Sequence, residues 1–467
     1  MATQNKQKKK QTSKVFVLDT NVLLNDPTAI LHMEEHDVVI PMCVIDEVDK
    51  KKNSGSIGFM ARRVSANLEP YLSPALYKTG VSLGDGMGKL SIFIVKKLHP
   101  KVQKIYNEDS PDNRIISTAL FLQDKFLRRR KQKDGAKKKK TPVSVVLVSD
   151  DTNLRIKAVG LGITAESYKH GSVENVASPY SGIATIRLSD GVVSKLYQPG
   201  GLEFSLVRES LGTDEPTPHP FEFFVINGNG EKNHLSYYDN GILRPVTDDY
   251  KKIYESVTAR NDEQQLAMRA LLDPKIKLVT LSGTAGTGKT MLAIAAAIRQ
   301  KSEYTKIKLS KPIVGLSEND LGFLPGDAQD KMLVHVQSLY DQINFLNDIE
   351  HKNVGRSTID ELLAANKIEV EPFPYIRGRS FTNTYLIVDE AQNLSRADAL
   401  AFVTRMHESS KIVLVGDPKQ IDAKYLNPSN NGLSVTIEAF KDYDAAAHVT
   451  LVKGERSRLA EWAATHM

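Results

Sequence analysis

Residues Gly283–Thr290, GTAGTGKT, have the types and spacing needed to hold the phosphates of a nucleotide. They fit the pattern G-x-x-x-x-G-K-[ST] at every position, between the apolar run Ile276–Leu281 and the helical run MLAIAAAIRQ. The glycines allow backbone N–H groups to surround phosphates at a helix N-terminus, where the helix dipole favours anions. Lys289 is predicted to reach the β- and γ-phosphates, and Thr290 to ligate Mg²⁺. The stretch therefore predicts a nucleotide-binding P-loop.

Two acids follow an apolar strand further along the chain. In TYLIVDEAQ, Asp389 and Glu390 come directly after four apolar residues. At the end of a strand in the same sheet, Asp389 is placed to hold Mg²⁺ through water, and Glu390 to orient or deprotonate the attacking water.

Three weaker positions complete the predicted nucleotide site. Gln264 in ARNDEQQLA could contact the adenine edge. Gln420 in VLVGDPKQID could contact the γ-phosphate, with a simple turn after a strand as the alternative. Arg456 in GERSRLA could stabilise charge on the transferred phosphoryl group, with a surface arginine as the alternative. The predicted nucleotide-site residues are Gln264, Gly283, Thr284, Ala285, Gly286, Thr287, Gly288, Lys289, Thr290, Asp389, Glu390, Gln420 and Arg456.

In order and approximate spacing, these motifs resemble the PhoH-like family of P-loop ATPases, which is related to superfamily 1 helicases. The resemblance extends from about Thr258 to Leu459 and includes the string GLSENDLGFLPGDAQDKM. It implies hydrolysis of ATP with Mg²⁺. Lys311 stands where the family usually has an arginine, so no role is transferred to that position.

A second set of acids lies at strand ends or early in helices of residues 14–165: Asp19, Glu47, Asp112, Asp150 and Asp151. Because parallel strands end at one edge of a sheet, these carboxylates are expected to share a cleft. Carboxylates in one cleft repel one another unless a divalent cation such as Mg²⁺ or Mn²⁺ neutralises them. Two such ions can hold the attacking and leaving oxygens of a phosphodiester. The alternative is that Asp19, Asp112 and Asp151 are helix caps and Glu47 is solvated.

Four stretches resemble the successive motifs of a PIN domain, a metal-dependent ribonuclease fold: VFVLDTNVLL, VVIPMCVIDEVDK, PDNRIISTAL and VVLVSDDTNLRIKA. The resemblance implies that Asp19, Glu47, Asp112 and Asp151 are catalytic and bind metal. Asp150 competes with Asp151 for the last place. Asn21 and Ser117 are expected to support the ligands through hydrogen bonds.

The elements that position these residues predict an α/β fold. Strands alternate with helices in residues 14–168, including a strand DVVIPMCVI and a helix through Asp46–Leu68, which favours a parallel sheet. The resemblance described above implies that this sheet is PIN-like. Residues 171–250 contain short β-like runs, which predict a small antiparallel β module or linker, with a barrel as one form. Residues 258–467 predict a second parallel sheet, which the PhoH-like resemblance implies is that of a RecA-like P-loop NTPase. Residues 1–13 form a basic tail.

The positive charge is concentrated in two segments. Of the net charge of +6, residues 1–14 contribute +5 and residues 125–140 contribute +9, so the remainder sums to 6 − 14 = −8. Such segments are either solvated loops or contacts for a nucleic-acid backbone. The chain has one cysteine and no apolar run of membrane-spanning length, which predicts a cytoplasmic protein without membrane contact.

Taken together, the motifs resemble those of PIN–PhoH fusion proteins across nearly the whole chain. The resemblance implies ATP-dependent unwinding of, or translocation along, RNA, coupled to metal-dependent cleavage of single strands or tailed duplexes. By analogy it also implies a homo-oligomer, with a hexameric ring as one form, and leaves an antitoxin-like partner open. Two alternatives remain: a toxin-like ribonuclease whose ATPase is a regulatory switch, and a non-enzymatic RNA-binding scaffold. DNA also remains open as the substrate, since backbone electrostatics do not distinguish the two polymers.

Overall fold

The computed structural model describes residues 14–52, 55–133, 144–168, 179–212, 217–230, 232–255, 257–314, 336–354, 358–376, 378–423 and 426–454. The chain divides at residue 172 into two compact units. Within the described ranges, no helix combines the length and the apolar character that crossing a membrane requires. The predicted basic tail, residues 134–140 of the basic run, the string LGFLPGD and Arg456 lie outside them.

The N-terminal unit is built on a six-stranded sheet. Its strands are β1 (Lys14–Leu18), β2 (Asp37–Pro41), β3 (Val81–Ser82), β4 (Lys89–Phe93), β5 (Ser144–Val148) and β6 (Thr164–Glu166). Their order is β3-β4-β2-β1-β5-β6, and only the edge strand β3 runs antiparallel. The central strands β1 and β5 are almost wholly apolar because both faces of the sheet are covered. The predicted parallel sheet is confirmed.

Among the described residues of this unit, six α-helices surround the sheet and bury their apolar sides in one core with it. They are α1 (Thr20–Asn25), α2 (Met42–Lys50), α3 (Gly55–Leu68), α4 (Pro100–Gln103), α5 (Pro111–Lys133) and α6 (Thr152–Gly160). α1 follows β1, and α6 follows β5. Because β1 and β5 are neighbours with Leu18 opposite Val148, the residues that follow these two strands lie side by side.

Two predicted element boundaries in this unit are wrong. The strand predicted to run through Ile45 ends at Pro41, where the chain turns into α2. Pro41 has no backbone N–H to extend the sheet, and its φ of −62° suits the residue that precedes a helix. The helix predicted through Asp46–Leu68 is two helices, α2 and α3.

The C-terminal unit contains a five-stranded sheet that corresponds to the predicted β module. Its strands are β7 (Ile183–Arg187), β8 (Leu202–Glu203), β9 (Phe223–Asn227), β10 (Asn233–Asp239) and β11 (Ile242–Pro245), in the order β7-β9-β10-β11-β8. β7 and β9 pair in parallel, so the sheet is mixed and open rather than an antiparallel barrel. One face of this sheet packs against α7 (Asp190–Val193) and α8 (Phe204–Leu211). The other face packs on α9 (Asp262–Leu272).

A second six-stranded sheet, entirely parallel, forms the rest of this unit. After the short ribbon β12 (Lys252–Tyr254) and β13 (Val257–Thr258), its strands are β14 (Leu278–Gly283), β15 (Lys306–Ser310), β16 (Ile368–Val370), β17 (Thr384–Val388), β18 (Lys411–Gly416) and β19 (Ala446–Leu451). Their order is β16-β15-β17-β18-β14-β19, as expected for a second parallel-sheet domain. The helices after α9 are α10 (Lys289–Arg299), α11 (Gln337–Val354), α12 (Thr358–Ala364), α13 (Phe373–Ile376), α14 (Arg396–Val403) and α15 (Gly432–Phe440).

Candidate active sites

The predicted P-loop joins β14 to α10. Gly283 ends the strand with φ of +146°, and a Cβ atom there would lie 2.0 Å from the carbonyl oxygen of Leu451, so only glycine fits. Gly288 precedes the helix in the left-handed region, with φ of +85°. Thr284, Ala285, Gly286 and Thr287 form the loop between them. The backbone therefore turns as a phosphate-binding loop must.

Lys289 is directed into this loop. Its Nζ donates to the carbonyl oxygens of Gly283 over 2.7 Å and of Thr284 over 2.8 Å, and it lies 3.4 Å from Oγ1 of Thr287. Lys289 is only 9% exposed. The ammonium group is thus held at the centre of the loop, where it can pair with phosphate oxygens.

The two predicted magnesium-binding groups meet at the sheet edge. Oγ1 of Thr290 donates to Oδ1 of Asp389 over 3.0 Å. Burial, together with the adjacent charge of Glu390, raises the pKa of Asp389 to about 6. A hydroxyl and a carboxylate oxygen suit a hard divalent cation, which would stabilise the ionised form of this buried acid.

Two residues near Glu390 received no role from the sequence. Nε2 of the buried Gln392 donates to Oε2 of Glu390 over 2.5 Å and to the carbonyl oxygen of Gln420 over 2.9 Å. Oε1 of Gln392 accepts from N of Asp417 over 3.0 Å. Nζ of Lys311 lies 3.9 Å from Oε1 of Glu390. The only sequence signal for Gln392 was its place in the DEAQ string.

The remaining predicted nucleotide-site residues are partly brought together. The amide of Gln264 is buried, donating to the carbonyl oxygen of Thr287 over 3.2 Å and accepting from N of Arg260 over 2.9 Å. Gln264 therefore contacts the P-loop itself. Gln420 is exposed, in a turn closed by its N–H on the carbonyl oxygen of Asp417. Arg456 lies outside the described residues, so its role stays a prediction.

In the N-terminal unit, Asp19 is buried where β1 ends and α1 begins. Its Oδ1 accepts from N of Thr20 over 2.6 Å, and its Oδ2 accepts from Oγ of Ser149 over 2.6 Å. Burial, together with the charges of Asp112 and Glu47, raises its pKa to about 7. Asp19 therefore caps a helix and also lies close to other negatively charged carboxylates. The two interpretations of the sequence, a helix cap and a metal-binding acid, are compatible.

The carboxylates of Glu47 and Asp112, whose charges act on Asp19, each contact a further side chain. Oε2 of Glu47 accepts from Oγ1 of Thr20, and Oδ2 of Asp112 pairs with Nζ of Lys157 over 3.1 Å. Within the described ranges, no three acidic, histidine or cysteine side chains are grouped closely enough to hold a metal ion. The donor chemistry of Asp19, Glu47 and Asp112, three oxygen donors of like charge, is nevertheless that of a magnesium or manganese site. Their ligand roles stay predictions.

The adjacent acids after β5 are directed to different partners. Asp151 caps α6, with Oδ1 accepting from N of Asn153 over 2.7 Å and N of Leu154 over 3.2 Å. The carboxylate of Asp150 instead accepts from Asn25, Ser167 and the backbone of Tyr168.

The two expected supporting residues differ in their placement. Asn21 accepts from N of Asp150 over 3.2 Å and donates to Oγ of Ser149 over 3.3 Å, so it lies beside Asp19. Oγ of Ser117 accepts from N of His99 over 3.0 Å instead. Ser149 and Lys157, which contact Asp19 and Asp112 directly, were missed because serine and lysine are common at such positions.

Comparison with known families assigns both units. A PIN domain model matches residues 16–169, and a model described as PhoH-like protein matches residues 256–466. Protein PhoH2 of Bacillus subtilis (strain 168) is 36% identical, covering 97% of this chain and 99% of that protein. Protein PhoH2 of Thermobispora bispora is 30% identical, covering 96% and 95%. A PhoH-like protein of Bacillus subtilis is 33% identical but matches only 47% of this chain.

Proposed function

The chain belongs to the PhoH2 family and joins a PIN domain to a PhoH-like domain, and from this premise we propose that it couples ATP hydrolysis to the cleavage of RNA. Such domains are consistent with nuclease and ATPase-like activity. The observation that carries the proposal is the pair of desolvated acids, Asp19 and Asp389, each at a strand end in its own unit. Perturbed acids of this kind are typical of catalytic sites.

On the ATPase side, the P-loop binds the phosphates through backbone N–H groups and Lys289. Thr290 and Asp389 would hold Mg²⁺, which would neutralise charge on the phosphate oxygens. Glu390 orients the attacking water and accepts its proton. Gln392 fixes the carboxylate of Glu390 by donating to it, and it connects that carboxylate to the turn that carries Gln420. Arg456 stabilises charge on the phosphoryl group, from its own chain or from a neighbouring subunit.

On the nuclease side, Asp19, Glu47 and Asp112 would hold Mg²⁺ or Mn²⁺, with Asp151 or Asp150 as the fourth acid. A cation bound there would supply an activated water and would offset charge on the phosphate. Ser149 and Thr20 orient Asp19 through hydrogen bonds on its two oxygens. Lys157, now paired with Asp112, is close enough to the acids to contact a substrate phosphate.

The finer features of the proposal concern the substrate and the assembly. ATP hydrolysis moves or opens RNA, so that a single strand, or the strand of a tailed duplex, reaches the nuclease acids. The cytoplasmic protein acts as a homo-oligomer, in a hexameric ring if Arg456 acts on a neighbouring subunit. The basic segments supply contacts to the backbone that weaken with salt.

Two activities of the full-length protein test the proposal separately. We expect Asp19→Asn to abolish metal-dependent cleavage of single-stranded RNA while ATP hydrolysis persists, and Lys289→Ala to do the reverse. Asp46→Asn, at the exposed residue next to Glu47, and Lys301→Ala, at an exposed residue beyond the C-terminal end of α10, are the controls. Cleavage that survives Asp19→Asn, or ATP hydrolysis that survives Lys289→Ala, would contradict the assignment of that unit.

A further inference from the structure

A cleft of about 190 Å³ opens in the N-terminal unit, apart from the acids described above. It lies against β1 and β5, between the segment His32–His36 and the residues that end β6. Phe16, His32, Glu34, His36, Glu166 and Tyr168 line it. Asp19, Glu47, Asp112 and Asp151 do not line the cleft, so the proposed nuclease mechanism leaves it without a function.

The walls of the cleft combine flat rings with hydrogen-bonding groups. Phe16 and Tyr168 are buried, and the ring of His36 meets that of Phe16 edge-on, with 5.4 Å between centroids. Nδ1 of His36 accepts from N of Lys14 over 3.4 Å, so a neutral ring carries its proton on Nε2. Aromatic rings beside hydrogen-bonding groups are the usual components of a pocket for an unstacked nucleobase.

The charges of the cleft favour a base over a phosphate. Glu34 and Glu166 both line it, and a carboxylate repels an anion while accepting hydrogen bonds from amino groups. Nζ of Lys14 lies 3.5 Å from Oε1 of Glu166, and it also lies over the ring of Phe16, so it partly offsets the negative charge. A neutral ring with an exocyclic amino group fits this combination, as carboxylates recognise the amino group of cytosine in DNA.

His32 is oriented by a carboxylate. Its Nδ1 lies 3.0 Å from Oδ2 of Asp26, which also accepts from the hydroxyl of Tyr168 over 2.7 Å. Burial opposes ionisation of Asp26, but hydrogen bonds from Thr28 and Tyr168 outweigh it, so the pKa of Asp26 is below its usual value. An ionised Asp26 places the ring proton of His32 on Nδ1, and Nε2 is then an acceptor.

A continuous chain of hydrogen bonds connects the cleft to the nuclease acids. N of Tyr168 donates to Oδ1 of Asp150, and N of Asp150 donates to Oδ1 of Asn21. Asn21 donates to Ser149, which donates to Asp19. Tyr168, which lines the cleft, is thus connected to Asp19 at the candidate nuclease site, and every residue of this chain of hydrogen bonds belongs to the N-terminal unit.

We propose that this cleft binds one base of the RNA strand being cut, and that it selects bases with an exocyclic amino group, guanine foremost, over uracil. Guanine presents a ring N–H and an amino group side by side, which matches the two oxygens of a carboxylate. The inference rests on the proposed RNA cleavage by this unit. The inference adds a base-specificity site to that cleavage activity, and Glu166 and Glu34 are the residues that determine which base is bound.

Binding and crosslinking test this on the full-length Asp19→Asn protein, which leaves the RNA intact. Oligouridylate with a single guanosine is compared with plain oligouridylate. We expect about tenfold tighter binding of the guanosine-containing strand, the value of one good base contact, and loss of this preference in Glu166→Gln and in Glu34→Gln. Glu69→Gln, an exposed residue outside the cleft, should retain it. 6-Thioguanosine in the same strand should crosslink to peptides that contain Phe16 or Tyr168.

Equal affinity for the two strands, or crosslinks confined to other parts of the chain, would overturn the inference. A failure of the proposed function has a different signature. In that case the wild-type protein does not cut RNA in an Asp19-dependent manner, whether or not a guanosine preference that depends on Glu166 is found.

Discussion

Nε2 of Gln392 donates a hydrogen bond to Oε2 of Glu390 over 2.5 Å. The same amide holds the next loop, since its Oε1 accepts from N of Asp417 and its Nε2 donates to the carbonyl oxygen of Gln420. Gly416 makes room for this contact, because a Cβ atom there would lie 2.1 Å from Oε1 of Gln392. Gln392 is therefore a positioning residue that joins the proposed base to the turn after β18.

Replacing Gln392 by methionine should slow ATP hydrolysis with little effect on nucleotide binding. The variant keeps the length of the side chain but removes the hydrogen bond that Gln392 donates to the carboxylate of Glu390. We expect kcat to fall about 10–100-fold, the usual loss for a residue that orients a catalytic group, with KM for ATP nearly unchanged. Gln265→Met, a buried glutamine that instead bonds the carbonyl oxygen of Thr247, is the control. A normal kcat in Gln392→Met would contradict the role.

The contrast between Gln392 and Lys289 shows what the sequence could predict. The P-loop is one contiguous stretch, so its backbone course follows from glycine spacing and the flanking strand and helix. The partners of Gln392 come from two separate segments, the residues that follow β17 and the turn after β18, and their approach depends on how β17 and β18 pack. Asp150 and Asp151 were separated in the sequence only by the usual spacing of the PIN motif, which favoured Asp151, because the same residue type occurs twice and the turn after β5 decides which carboxylate points where. The packing of the β module on α9 could not be predicted, because no motif in either stretch indicates that the two are in contact.

Asp19→Asn should stabilise the protein when divalent cations are removed. The pKa of Asp19 is about 7 in the folded protein against 3.8 ordinarily, so the unfolded chain ionises first as the pH rises. The free energy of unfolding of the wild type therefore falls as the pH rises from about 4 to 7. At pH 8 this loss amounts to up to about 4 kcal/mol, and Asp19→Asn does not incur it.

Thermal unfolding with EDTA at pH 5 and pH 8 measures this difference, with Asp46→Asn as the exposed control. Added Mn²⁺ should raise the Tm of the wild type and leave that of Asp19→Asn nearly unchanged. A variant that is less stable than the wild type at pH 8 in EDTA, or that responds equally to Mn²⁺, would argue against a charge-burying metal site.

Lys411 should make the stability of the protein rise with pH in the alkaline range. It is fully buried, and its Nζ donates to the carbonyl oxygens of Leu271 and Asp273, which end α9. Burial lowers its pKa to about 7 from 10.5. Between these values the unfolded chain binds a proton that the folded chain does not, so stability falls as the pH falls from 10.5 to 7.

Urea unfolding from pH 7 to pH 10 of the wild type and Lys411→Met checks this. The wild type should gain up to about 1.4 kcal/mol per pH unit relative to the variant. Lys275→Met, an exposed lysine beside the same helix end, should behave as the wild type. Parallel profiles for the wild type and Lys411→Met would mean that Lys411 stays charged in the folded protein.

Cleavage of a tailed RNA duplex tests the coupling of the two sites most directly. The RNA is labelled at one end and incubated with the full-length protein and Mg²⁺, with ATP or with a non-hydrolysable analogue, beside Asp19→Asn and Lys289→Ala. The account predicts cuts inside the duplex only when ATP is hydrolysed, none in Asp19→Asn, and cuts restricted to the single-stranded tail in Lys289→Ala. Cuts inside the duplex that do not need ATP hydrolysis, or cuts that stay in the tail whether or not ATP is hydrolysed, would contradict coupled unwinding and cleavage. The second of these results would favour an ATPase that regulates a nuclease without opening RNA.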